Sequence, residues 1–240
     1  MALAGDHVQV LVGGYELTGD TNKIGIDDSR KLLDTTSFGM ASERYIAGQR
    51  SMMLAHNGYL NPETSASHPV MQGVAVDGVV SVLIGQNAEP VIGDPVYNLL
   101  TIQQMYESNA EVGQVIPFSA KFANRGALGG WGVALAIPVT ITNSTTGSNV
   151  DNSGASSAGG AVFLHILNAT STDTYALTVE GSADGSTGWT QIATFTLDGS
   201  ELGSERVAIT GAVPRYMRYK ATRTGSAGDN LELAVSLLRF

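Results

Sequence analysis

Arg206, Arg215, Arg218, Lys220 and Arg223 are the one concentration of basic side chains in the sequence, with Tyr216 and Tyr219 interleaved among them. Such a mixture could grip a nucleic-acid backbone or an acidic protein surface. On a strand, Tyr216, Arg218 and Lys220 point one way, and Met217, Tyr219 and Ala221 the other. With Glu201, Glu205 and Glu232 close by in sequence, intersubunit or cross-strand ion pairs fit this pattern better than phosphate contacts. The histidines His7, His56, His68 and His165 fall at no spacing that would put two on one face of a local element, and the metal, phosphate and dinucleotide fingerprints are absent. His165, between Leu164 and Ile166, reads as a polar-face position of an alternating strand. Asp27, Asp28 and Asp34 suggest paired carboxylates or a cation site, but in a turn-rich segment they read as solvated charges or partners for Arg and Lys. Serines and threonines are abundant without a GxSxG elbow. These residues nominate no catalytic group, metal or cofactor, and the chain reads as a non-enzyme.

Composition narrows the classes further. The 22 acids outweigh 13 bases for a net charge of -9, the wrong sign for a protein that holds phosphate. The absence of cysteine removes disulfide scaffolds, thiolate metal sites and thiol nucleophiles. Met1 to Gly5 has no positive flank and no apolar run approaches a membrane span, so neither Sec-type export nor a membrane partner is expected. A length of 240 residues suits one large or two small domains, and 29 glycines with only 15% charged residues favour a turn-rich β protein over long helices.

The elements that must position these side chains follow from hydrophobic periodicity. Strand signals occur at Val8 to Val12, Val74 to Ile84, Gln114 to Phe122 and Trp131 to Ile137. Six more follow at Ala161 to Leu167, Tyr175 to Glu180, Gln191 to Leu197, Arg206 to Ile209, Tyr216 to Thr222 and Leu231 to Leu238. Turns at Asp184 to Gly188, Asp198 to Ser200 and Ser226 to Asp229 separate them. Phe163, Leu177, Trp189, Ile192, Phe195, Ile209 and Leu233 form the expected core of this later region. One short helix is expected from Asp94 to Ser108, with Asp94 as cap, Pro95 in its first turn and Val96, Leu99, Leu100, Ile102, Gln103 and Tyr106 on a face. The fold class is therefore all-β with one short flanking helix. Residues 140–160 are small and polar, which suggests a linker or long loop between a β-sandwich domain at 1–139 and a C-terminal antiparallel β region at 161–240. Residues 24–48 read as an ordered arm whose Leu32, Leu33, Phe38, Tyr45 and Ile46 need something to bury against.

The stretch Lys31-Leu-Leu-Asp-Thr-Thr-Ser-Phe-Gly39, then Arg44-Tyr-Ile-Ala-Gly48 and Ala55-His-Asn-Gly-Tyr59, resembles the major tail tube proteins of long-tailed bacteriophages. Thr178 to Trp189 and Arg215 to Tyr219 resemble segments of phage structural proteins. The resemblance implies a β-sandwich subunit with one flanking helix, six copies closing a ring, and rings stacking through a long arm. Here that arm carries Leu32, Leu33, Asp34, Phe38, Arg44 and Tyr45, with Arg206, Arg215, Arg218, Lys220 and Arg223 as candidates for intersubunit ion pairs. It also implies a place in the virion tail after assembly in the host cytoplasm, other tail proteins such as tape measure, terminator and distal tail proteins as partners, and double-stranded DNA passing through unbound. A capsid decoration or baseplate protein, and a carbohydrate-binding module using Trp131, Trp189, Tyr216 and Tyr219, are the alternatives.

Overall fold

The computed structural model describes residues 7–74, 76–170, 172–226 and 228–240; the start from Met1 to Gly5, Ala75 in the second strand signal and Ala227 in the last predicted turn lie outside them. The first half contains β1 (Val8–Val12), β2 (Tyr15–Glu16), β3 (Thr21–Asp34), β4 (Tyr45–Tyr59), the helix α1 (Ser67–Met71), β5 (Asp77–Ile84), β6 (Pro95–Ser108) and β7 (Pro117–Asn124). The second contains β8 (Gly130–Ile141), β9 (Thr145–Thr146), β10 (Val150–Asp151), β11 (Gly160–Asn168) and β12 (Thr174–Ser182). It ends with β13 (Thr190–Thr194), β14 (Gly203–Ile209), β15 (Tyr216–Thr224) and β16 (Leu231–Arg239). The chain is all-β, and every strand pair is antiparallel. Among the described residues, no helix is long and apolar enough to cross a membrane.

The helix expected from Asp94 to Ser108 is instead strand β6. Its start, Val96-Tyr-Asn-Leu, lies between two neighbouring strands and is buried on both faces. That burial erases the alternation which marks a half-buried strand and leaves an apolar run that reads equally well as a helix. Asp94 does not cap a helix: its carboxylate accepts the Val91 amide at 2.9 Å and the Gln86 side-chain amide at 3.1 Å, closing the turn that precedes the strand. The five-residue α1 is the one α-helix among the described residues.

Strand β6 also joins the two halves of the molecule. One edge pairs with β5. Along the other, Pro95 to Asn98 pair with β8, and Thr101 to Ser108 pair with β7, which continues to β4 and β3. From β8 the same sheet runs on to β16, β11 and β14. A second sheet, ordered β10-β15-β12-β13 with β9 beside β15, covers the β8-β16-β11 part. Val162, Leu164 and Ile166 of β11 face that second sheet and share one core with Leu177, Phe195, Ile209 and Leu233. Ala161 and Phe163 face the other way, onto Val79 and Leu238. Ile192 packs half-buried at the margin of this core. Trp189 is not a core residue: it lies in the turn before β13, with the Arg218 guanidinium 3.8 Å above its ring.

A separate core in the first half gathers Val10, Leu17, Leu54, Met71, Val80, Tyr97, Leu99 and Phe122. The segment 140–160 contains the end of β8 and the strands β9 and β10, both paired with β15. Leu135, Ala136, Ile141 and Val150 all enter the core shared by the second half, so packing changes from one core to the other ahead of β8 instead of at 140–160.

Candidate functional site

The arm is a β-hairpin. Strands β3 and β4 pair from Thr21 with Gly58 to Asp34 with Tyr45, with irregularities after Thr21 and Arg30. Only Met53 to Tyr59 of β4 also pair with β7. Asp28 to Asp34 and Tyr45 to Met52 therefore form a two-stranded ribbon beyond the sheet, and among the described residues β3 has no partner on its outer edge. Near the root, Arg50 Nε donates to Asp28 Oδ1 at 2.6 Å, with a second contact between Arg50 Nη2 and Asp28 Oδ2. This bidentate grip holds the Asp28 carboxyl below the usual carboxylate range.

The tip is ordered by polar contacts of its own. The Thr35 amide donates to the Arg44 carbonyl at 2.8 Å, the Thr36 amide to Asp34 Oδ1 at 2.8 Å and the Arg44 amide to Thr36 Oγ1 at 2.9 Å. Tyr45 donates its hydroxyl to Glu43 Oε2 at 2.7 Å. Gly39 has φ of 91°, a left-handed value that a side chain would strain. Despite this order, Phe38 is 109% and Leu32 62% exposed, and Leu33, Met40, Tyr45 and Ile46 are exposed with them. A two-stranded ribbon is marginal by itself in water. Leu33 stands opposite Ile46 on one face of the ribbon while Leu32 and Tyr45 share the other, so large apolar side chains are exposed on both faces and at the tip, as on an interaction surface.

The basic residues have a different fate. Arg215 pairs with Asp151 at 2.6 Å, Arg218 and Lys220 with Glu180 at 2.8 and 3.0 Å, and Arg223 with Asp173 at 2.5 Å. All four are cross-strand pairs within the chain. Glu180 stands directly opposite Arg218 in the β12–β15 register. Burial pulls the Glu180 carboxyl up, but hydrogen bonds from Arg218 and Lys220 outweigh it and hold it low. The sequence neighbours Glu201, Glu205 and Glu232 are not the partners: Glu205 accepts the Thr196 and Leu197 amides instead. Asp151, Asp173 and Glu180 were legible only through strand register. Arg206 meets no carboxylate among the described residues; it donates to the Leu128 carbonyl at 3.3 Å and lies over the Phe163 ring.

The histidines do not converge, and no group of three or more His, Cys, Asp or Glu among the described residues is placed to hold a metal. His165 is not a surface position. It is buried where β11 meets β1 and β5, with Nδ1 2.7 Å from the Gly13 carbonyl oxygen and Nε2 2.8 Å from Ser81 Oγ. The carbonyl can only accept, so Nδ1 carries the proton. Ser81 and Ser236 both meet Asn98 Oδ1 at 2.7 Å, which makes a polar cluster inside the fold. His56 is buried too; Thr21 gives its hydroxyl proton to the Leu17 carbonyl, so His56 Nε2 donates to Thr21 Oγ1. Burial pulls both imidazoles down to about 4. The four aromatics of the carbohydrate-binding alternative form no common face. Tyr219 is buried in the core between the sheets, Trp131 packs edge-on against Tyr97 in the large sheet, and Trp189 lies beneath Arg218 beside the small one.

No protein-family model matches the chain, and no curated protein matches it. Among solved structures, the chain is similar to one in the virion of a native gene transfer agent particle, at 12% identity over 54% of this chain and 98% of that one, with a TM-score of 0.45. It is similar to one in the tail of an empty gene transfer agent particle, at 14% identity over 52% and 96%, with a TM-score of 0.41. It is also similar to the SPP1 Dit protein, described as a paradigm of the hub adsorption apparatus in phages that infect Gram-positive bacteria, at 12% identity over 96% and 98%, with a TM-score of 0.35. Likenesses of this size bear on neither assembly nor function.

Proposed function

We propose that this chain is a structural subunit of a phage tail that assembles with copies of itself into hexameric rings stacked as a tube, the conduit for DNA ejection. The observation that carries the reading is the arm: an ordered ribbon that presents Leu32, Leu33, Phe38, Met40, Tyr45 and Ile46 where its own chain offers no core. The open outer edge of β3 supports it, since an unpaired strand edge is a template for another chain unless it is covered. The tail-tube resemblance of residues 31–48 supplies the ring and the stack. The net charge of -9 suits a conduit, because carboxylates along a lumen repel the phosphate backbone and let a duplex slide. Tape measure, terminator and distal tail proteins are the partners that this reading implies, and the virion tail is its location. Light scattering and negative-stain microscopy of the purified protein test it. Rings or tubes are expected; a lone 25 kDa particle at micromolar concentration would sink the reading, and isolated spikes would favour a baseplate or decoration role.

A further inference from the structure

A second apolar tip leaves the other end of the arm's sheet. Strand β4 runs from the arm tip at Tyr45 to Tyr59, where it pairs with Pro117 at the start of β7. The connection between β6 and β7, residues 109–116, emerges just past that point. Along β4 alone, fourteen steps of about 3.3 Å separate the two ends by roughly 45 Å. The second hairpin is also held in shape. Gly113 has φ of 83°, the Gln114 amide donates to the Glu111 carbonyl at 3.1 Å, and the Leu60 amide donates to the Ile116 carbonyl at 2.8 Å. Even so, Val112 is 102% exposed and Val115 is exposed beside it.

The second hairpin carries only acids, whereas the arm beyond the Asp28–Arg50 pair carries three bases, Arg30, Lys31 and Arg44, against two acids, Asp34 and Glu43. Arg30, Lys31 and Arg44 on the arm form no ion pair among the described residues, and neither do Glu107 and Glu111 at the second hairpin, where residues 107–117 contain no base. We propose that the β6–β7 hairpin of one copy seats the arm tip of the next, with Val112 and Val115 covering Phe38 and Met40, and Glu107 and Glu111 facing the arm's bases. This rests on the self-assembly reading and names its receiving surface. A contact between unlike ends of one molecule is heterologous, and directed along the arm it repeats from copy to copy as a stack.

The chain contains no cysteine, so introduced ones are unambiguous. Phe38→Cys and Val112→Cys are made as separate proteins, one of them carrying a size tag, and are mixed under mild oxidation. A disulfide requires Cα atoms within about 7 Å, so it reports direct seating of one tip on the other. The expected result is a tagged-with-untagged dimer as the main cross-linked product on a non-reducing gel. Like-with-like dimers, or no cross-link while the wild type forms stacks by microscopy, would overturn the seating and leave the assembly reading intact. A wild type that light scattering finds only as single chains removes the assembly reading and the seating with it. Independently, Glu111→Lys should lose stacking and Lys31→Glu should restore it in the double variant; normal stacking in Glu111→Lys alone counts against the charge pairing.

Discussion

His165 and His56 give the fold a pH dependence whose sign is fixed by burial. Each imidazole titrates at about 4 in the folded chain and near its ordinary value of 6.5 when unfolded. The unfolded chain therefore takes up protons first as the pH falls. The stability they contribute is complete above about pH 6.5 and is lost toward about pH 4, by roughly 3 kcal/mol for each group. The urea midpoint should fall across that window, and His165→Gln should flatten the fall while lowering the midpoint at neutral pH. An unchanged slope in the variant would remove His165 from the account. Arg223 is the second case: its partner Asp173 is 1% exposed, so Arg223→Met leaves a carboxylate without its cation in the interior and should cost about 3 to 5 kcal/mol in chemical denaturation. Adding Asp173→Asn should recover part of that loss. The sequence displayed the bases but not these roles. The acids that face them lie 38 to 64 residues away, and only register brings the two together. His165 went unread for a related reason: with both faces of β11 covered, no alternation distinguishes one side from the other.

At the scale of elements, half-buried strands announced themselves, and of the doubly buried ones β5, β11 and β16 were read as strands while β6 was not. Strand β15 alternates, with Met217, Tyr219 and Ala221 inside, because only one of its faces meets the core. Strand β6 has neighbours on both edges and apolar contacts on both faces near its start, so its periodicity was lost and its flanking Asp-Pro suggested a helix. The arm was legible as a segment lacking a core but not as a hairpin, since its exposed strands obey no inside-outside pattern. Replacing Leu33 and Phe38 with Ser should leave the circular dichroism and denaturation midpoint near wild type while stacking is lost, each side chain removing about 1.5 to 3 kcal/mol from the interface. Loss of the fold would place these side chains in the subunit core, contrary to their exposure. Normal tubes from a folded variant would show that the arm does not stack the rings.

Over the whole molecule, the sequence's polar stretch at 140–160 suggested a divide, yet β8 on one side of it pairs with β16 near the C-terminus. Composition reports how flexible a stretch is in isolation, whereas the division of a core depends on which strands pair across it. Proteinase K should therefore cut within the exposed part of 142–149, but the two fragments should still elute together under native conditions. A fragment from Ala161 onward, lacking Leu135, Ala136, Ile141 and Val150, should show little β signal, and one that begins before Gly130 should keep it. Independent folding of the shorter fragment would show that β8 is dispensable. The continuity of β4 from ribbon into sheet also sets how the molecule carries a load. A pull on the arm along its length is taken up by the β4–β7 ladder from Met53 to Tyr59 in shear, so its hydrogen bonds must yield together and not one after another. A sideways pull would peel the ribbon pair by pair, which makes the subunit stiff along the arm and compliant across it.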